Sequence, residues 1–155
     1  MRVARQIFAC GIAAVMTFVI SSCSVQPCYE DTDPMMHTVL LASGTGESAK
    51  ADSLRVRGVS PTDTVKFVDA RAAASFSVPL DPANDLSVFF ITVNGIHDTA
   101  VIYYTRLPHL VSPECGYTFI SNITGVKTTH NIIDTLIIEN SKVDLDGEKN
   151  LHLFF

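Results

Sequence analysis

The sequence predicts an all-β, antiparallel sandwich of immunoglobulin-like or transthyretin-like type, preceded by a helical signal peptide. Three observations carry that prediction. Short runs rich in Val, Ile, Thr, Phe and Tyr recur along the chain, and Gly, Pro, Asn and Asp separate them. Asn94-Gly95 stands between two long β-type runs, and such a dipeptide adopts the two positive φ angles that a tight hairpin needs. Past the first 22 residues, no 3.6-residue apolar periodicity is sustained.

The chain opens as a secretory signal. Arg2 and Arg5 supply a positive end, and residues 7–20 form an apolar run broken only by Gly11 and Thr17. Val19-Ile20-Ser21-Ser22-Cys23 closes it. A branched apolar residue, small residues and then cysteine form the pattern of a bacterial lipobox. Residues 1–22 are therefore expected to be removed, and Cys23 is expected to carry the lipid. Residues 23–34 are polar, contain Pro27 and Pro34, and read as a lipidated tether. The domain is expected over residues 35–155.

Residues 36–41 form the first expected strand, and the Gly-rich stretch 43–48 ends it. Residues 54–59 alternate apolar and basic or small, as a strand with one wet face does. Pro61-Thr62-Asp63 reads as a turn, and residues 64–68 as a strand. Residues 70–74, Ala-Arg-Ala-Ala-Ala, have local helix propensity but are too few to hold a helix, and they lead into an alternating strand at 75–78. Residues 79–85 form a turn-rich connection. The continuous apolar run 87–93 is expected to be a central strand covered on both faces. Its hairpin partner is residues 96–106. Residues 108–116 read as a loop or edge segment, 117–123 as a strand, and 125–129 as the start of another segment. Residues 132–138 are strongly β. Residues 143–145 and 150–155, around Asp146-Gly147, read as a closing hairpin. Roughly seven to nine strands result, a number suited to a sandwich.

Charge and cysteines bound the function. Removing the signal takes the formal net charge from −5 to −7. An acidic chain without a basic cluster argues against nucleic acid and against anionic membrane surfaces as partners, so membrane contact is expected through the acyl chains. Of the four cysteines, Cys10 leaves with the signal and Cys23 takes the lipid, so Cys28 and Cys115 remain. An oxidising compartment favours pairing them; two unpaired thiols are the alternative. With the pair formed, five residue steps separate the lipid from the fold, a reach of at most roughly 18 Å.

Motifs for chemistry are absent. Asp144-Leu145-Asp146-Gly147 offers oxygen ligands, but the twelfth position of an EF-hand loop would fall on Phe155, so a turn is expected. Ser43-Gly44-Thr45-Gly46 lacks the Lys-Ser/Thr of a phosphate-binding loop. The five histidines are isolated, and no Gly-x-Ser-x-Gly occurs. His97, Asp98 and Ser112 make a triad only on paper. No catalytic residue, cofactor or metal ligand is assigned, and the chain is read as a non-enzyme.

Several stretches resemble a domain-of-unknown-function family of small envelope lipoproteins from Gram-negative bacteria. They are Ser22-Cys23 with Cys28, Val56-Arg57-Gly58-Val59, Ser77-Val78-Pro79-Leu80-Asp81, Ile102-Tyr103-Tyr104-Thr105-Arg106, and Ser112-Pro113-Glu114-Cys115-Gly116-Tyr117. The resemblance implies a β-rich envelope lipoprotein and no activity. The expectation is a lipid-anchored protein of the cell envelope, at the outer membrane on its periplasmic or surface face. It would act as a non-enzymatic binding or assembly module, in contact with the membrane through its lipid and with an envelope protein as partner. The alternative is a small-ligand carrier or enzyme with a pocket in the sandwich.

Overall fold

A computed structural model describes residues 27–59 and 64–155. The expected signal peptide, the lipid site Cys23 and the Pro61 turn lie outside the described residues. No helix occurs among those described. Ten strands form two sheets that pack as a β-sandwich. They are β1 (Met35–Leu41), β2 (Ala51–Val59), β3 (Thr64–Ala73), β4 (Ser75–Pro79), β5 (Leu86–Val93), β6 (Ile96–Ser112), β7 (Gly116–Thr128), β8 (Thr135–Ile138), β9 (Lys142–Val143) and β10 (Lys149–Phe154). One sheet runs β4-β1-β10-β8 and the other β3-β2-β5-β6-β7-β9. All pairs are antiparallel except β1 with β10, which is parallel.

The hydrophobic core follows from a period of two. On β1, Met36, Thr38 and Leu40 point inward; on β6, Ala100, Ile102 and Tyr104 do so. Leu54 and Val56 of β2, Leu151 and Leu153 of β10, and Ile133 close the space between the sheets. Each such aliphatic side chain contributes about 1.5–3 kcal/mol by leaving water. The Asn94-Gly95 turn forms as expected, with φ of 51° and 87°. Val93 pairs with Ile96 across it, and the Asn94 side chain accepts from the Ser53 amide at 3.2 Å.

Six expectations need correction. The strand expected over 64–68 does not end there: β3 takes in the Ala-rich stretch as far as Ala73, and the chain then crosses to the other sheet as β4. Ala72, at φ 52°, makes the corner. Pairing with β2 overrides a weak local preference. Strand β5 is central but covered on one face only, because Phe89 and Ile91 are buried while Leu86 and Phe90 are exposed. The hairpin partner does not end at residue 106: β6 runs through Pro108 as far as Ser112, so of the loop and edge readings for 108–116 the edge one holds over 108–112. Pro108 is tolerated because β5 pairing stops at Tyr103, so its missing amide faces an open edge. Residues 117–128 form one strand, with a register shift at Tyr103/Tyr104 where two were expected. The end of the chain is not a hairpin: β9 pairs with β7 in one sheet, and β10 joins β1 and β8 in the other. The count is ten strands, above the seven to nine expected.

Candidate functional site

Beyond Tyr103, β6 loses its neighbour β5 and continues with β7 alone. Residues 105–112 and 116–120 thus form a two-stranded arm. Its base is fastened by ions and hydroxyls. The Arg106 Nε donates to Asp85 at 2.8 Å, its guanidinium also meets the Pro82 carbonyl, and it lies 5.8 Å from the Phe119 ring centroid. The Tyr104 hydroxyl donates to the Asp81 carbonyl at 2.9 Å and shares a 2.9 Å bond with Ser87 Oγ, which accepts the Asp81 amide. Burial pushes the Tyr104 phenol up, so it stays protonated as a donor.

The arm's tip carries the expected pairing: Cys28 and Cys115 form a disulfide, with Cα atoms 4.8 Å apart. Ser112 Oγ accepts the Cys115 amide at 3.1 Å, and Gly116, at φ 75°, completes the turn. The segment after Cys28 then runs beside β7, where Thr118 Oγ1 donates to the Thr32 carbonyl at 2.6 Å. Residues 28–32 are therefore held against the arm. Leu107, Leu110, Tyr117 and Phe119 are exposed on it.

At the arm's base, the two sheets part to leave a cleft of about 520 Å³. Val65, Phe67, Leu80, Leu86 and Phe89 line it, with Phe67 edge-on to Phe89 at 6.2 Å. Gly58 permits this, since a Cβ there would collide with the Phe67 ring. Among the described residues, the cleft's one carboxylate is occupied locally. Asn84 Nδ2 and the Ala83 amide, each at 2.8 Å, hold Asp81 below the usual carboxylate range. Among the described residues no histidine lines the cleft, and most of its lining is apolar.

The paper triad separates. Ser112 sits at the arm's tip, while His97 and Asp98 lie beside the Asn94-Gly95 hairpin at the other end of β6. Asp98 is buried and accepts the amides of Asn131, Ile132 and Ile133 and the Thr129 hydroxyl at 2.5 Å. Burial alone would raise its pKa; these donors outweigh it and hold the carboxyl low. Asp98 is therefore a structural clasp on the chain between β7 and β8. A sign of it was legible: Asp98 shares the inward register of Ala100 and Ile102, where a charge requires partners. Asn150 is a second clasp. Fully buried, it accepts the His37 amide at 2.9 Å and donates to the Lys142 carbonyl at 2.6 Å, tying β1 and β10 to β9 of the other sheet.

Asp144 accepts from Lys142 Nζ at 2.6 Å and from the Asp146 amide at 3.0 Å, so its oxygens are engaged in the turn. Among the described residues, no three His, Cys, Asp or Glu side chains gather where they could hold a metal ion.

A family model described as a family of unknown function, DUF6452, matches residues 53–155, most of the chain. No curated protein and no solved structure matches it.

Proposed function

The chain belongs to the DUF6452 family of unknown function, which lends it no activity, and we propose that it is a lipid-anchored, non-enzymatic binding or assembly module of the bacterial cell envelope. One observation supports this reading most. The disulfide joins Cys28 to the tip of the β6–β7 arm, and Cys28 lies five positions after the lipobox cysteine. Such a link turns a loose tether into a short one. An acylated Cys23 would hold the arm's tip within roughly 18 Å of the lipid. A single acyl chain binds a membrane only marginally, so multiple acylation is what the anchor requires.

Two measurements test it. Mass spectrometry of the membrane fraction should find Cys23 as an acylated N-terminus, and Cys23→Ala should move the protein out of that fraction. Unchanged fractionation of Cys23→Ala would defeat the anchor. Cross-linking in the envelope should recover one specific partner protein; recovery of bulk membrane proteins alone would remove the assembly role.

A second reading rests on the cleft. Its apolar lining suits the alkyl part of a small ligand. Binding of a fluorescent fatty acid that Val65→Asp abolishes would favour a carrier; equal binding by both proteins would exclude this cleft.

A further inference from the structure

The acidic chain keeps one basic face, on the outside of the six-stranded sheet. Cross-strand register places side chains there in rows, because directly paired residues share a face. Arg55 pairs with Asp69 and Thr92, and Thr92 with His97. Arg57 pairs with Lys66 and Phe90, and Phe90 with Thr99. Ser53 pairs with Arg71, and Val101 with Lys127. Arg55, Arg57, Lys66, Arg71 and Lys127 therefore share this surface, and Asp69 is the one acid that these registers set among them. Asp98, which is next to His97, turns inward to its clasp.

Charge concentrated on this face contrasts with the chain's formal net charge of −5. It sets up a local field that attracts an anion. Asp69 engages Arg55 and Lys66, each at 3.5 Å, whereas Arg57 makes no ion pair among the described residues.

A cleft of about 430 Å³ lies on this face; Arg55, Arg57, Phe90, Thr92 and His97 line it, as does Asp98, whose carboxylate oxygens are taken up by the Thr129 hydroxyl and the amides of Asn131, Ile132 and Ile133. The mixture is specific. Guanidinium groups take carboxylates in a fork geometry. Thr92 Oγ1 is 2.8 Å from His97 Nδ1, which fixes the imidazole. Phe90 is exposed with its ring in the cleft wall, an apolar surface for the C–H face of a sugar ring. We propose that this outer face binds a carboxylate-bearing polysaccharide, with Arg57 and Arg55 on the carboxylate and Phe90 against the sugar ring.

Position separates a sugar polymer from a lipid headgroup. From Thr99 to Ser112, β6 spans about 40 Å at its usual rise. The cleft is thus at the opposite end of β6 from the disulfide that, on the anchoring reading above, sits near the bilayer. This orientation rests on that reading; the titration below does not, since it is run in detergent without a membrane.

The full mature chain, in detergent, is titrated with hexagalacturonate by calorimetry, with maltohexaose as the neutral probe. Saturable binding is expected for the acidic hexamer alone. Arg57→Gln should weaken it at least tenfold and Phe90→Ala severalfold, and both exposed sites should leave the thermal midpoint unchanged. Absence of binding overturns the proposal, as does equal binding by the two variants and the parent. Binding to phosphatidylglycerol vesicles without binding to the hexamer assigns the face to a membrane. Equal affinity for inorganic polyphosphate, insensitive to Phe90→Ala, reduces it to charge alone. Either result overturns the sugar site.

Discussion

In the sandwich body, β6 lies between β5 and β7 and turns Ala100, Ile102 and Tyr104 into the core; in the arm, the same strand has β7 alone and leaves Leu107 and Leu110 in water. The body is held by burial and by two buried polar clasps, Asp98 and Asn150. The arm has little to bury, so it is held by a disulfide at its tip and by Arg106 and Tyr104 at its base. A strand's order therefore depends on what it is packed against. The same β-type sequence needs a covalent link where a second sheet is missing.

Removing the link should have the largest effect. Serine at both Cys28 and Cys115 opens a loop of 87 positions. In the chain-entropy account this lowers stability by about 4–5 kcal/mol, because the unfolded chain gains freedom. Urea unfolding of the double variant measures it, and hydrogen exchange should accelerate first over residues 105–120. A loss under about 1 kcal/mol would show that the arm holds itself.

Next comes the contrast between two leucines. Leu153→Ala empties a fully buried site and should cost about 3 kcal/mol. Leu107→Ala removes an exposed side chain and should stay within about 0.5 kcal/mol. Equal losses in a denaturant series would erase the distinction between body and arm.

The clasp at Asp98 should be the smallest of the three, at about 2 kcal/mol for Asp98→Asn, which keeps the shape but loses the charge-assisted bonds. It also carries a pH signature. Folding lowers the Asp98 pKa, so near and below pH 4 the unfolded chain binds more protons there than the folded one. The stabilisation is full above the ordinary carboxylate range and fades as pH falls through the folded value. Thermal midpoints measured from pH 7 down to pH 3 should fall less steeply for Asp98→Asn than for the parent. Asp81 and Asp144 are held low as well and leave a residual slope in both. Parallel curves would remove Asp98 from the account.

Of the candidate site, the cysteine pair was legible in sequence. Elimination left Cys28 and Cys115 as the pair, and they meet. The arm was not legible, because Pro108 reads as a break unless the strand's edge is known to be open. The basic face was hidden for a related reason. Arg55, Arg57, Lys66, Arg71 and Lys127 form no run along the chain, and only strand pairing gathers them.

The sequence by itself determined where strands form and how they turn. Alternation with period two marks β2 and β4, and Asn94-Gly95 specifies its own hairpin, because backbone sterics and side-chain alternation act over a few residues. The tertiary structure alone decided which sheet each strand joined. It sent β4 across from β3, set β10 parallel to β1 from the far end of the chain, and gave β9 to β7. It also decided that Asp98 would be a clasp. Pairing partners and buried-polar partners lie dozens of residues apart, and no local propensity encodes a contact made only when two sheets close on one core.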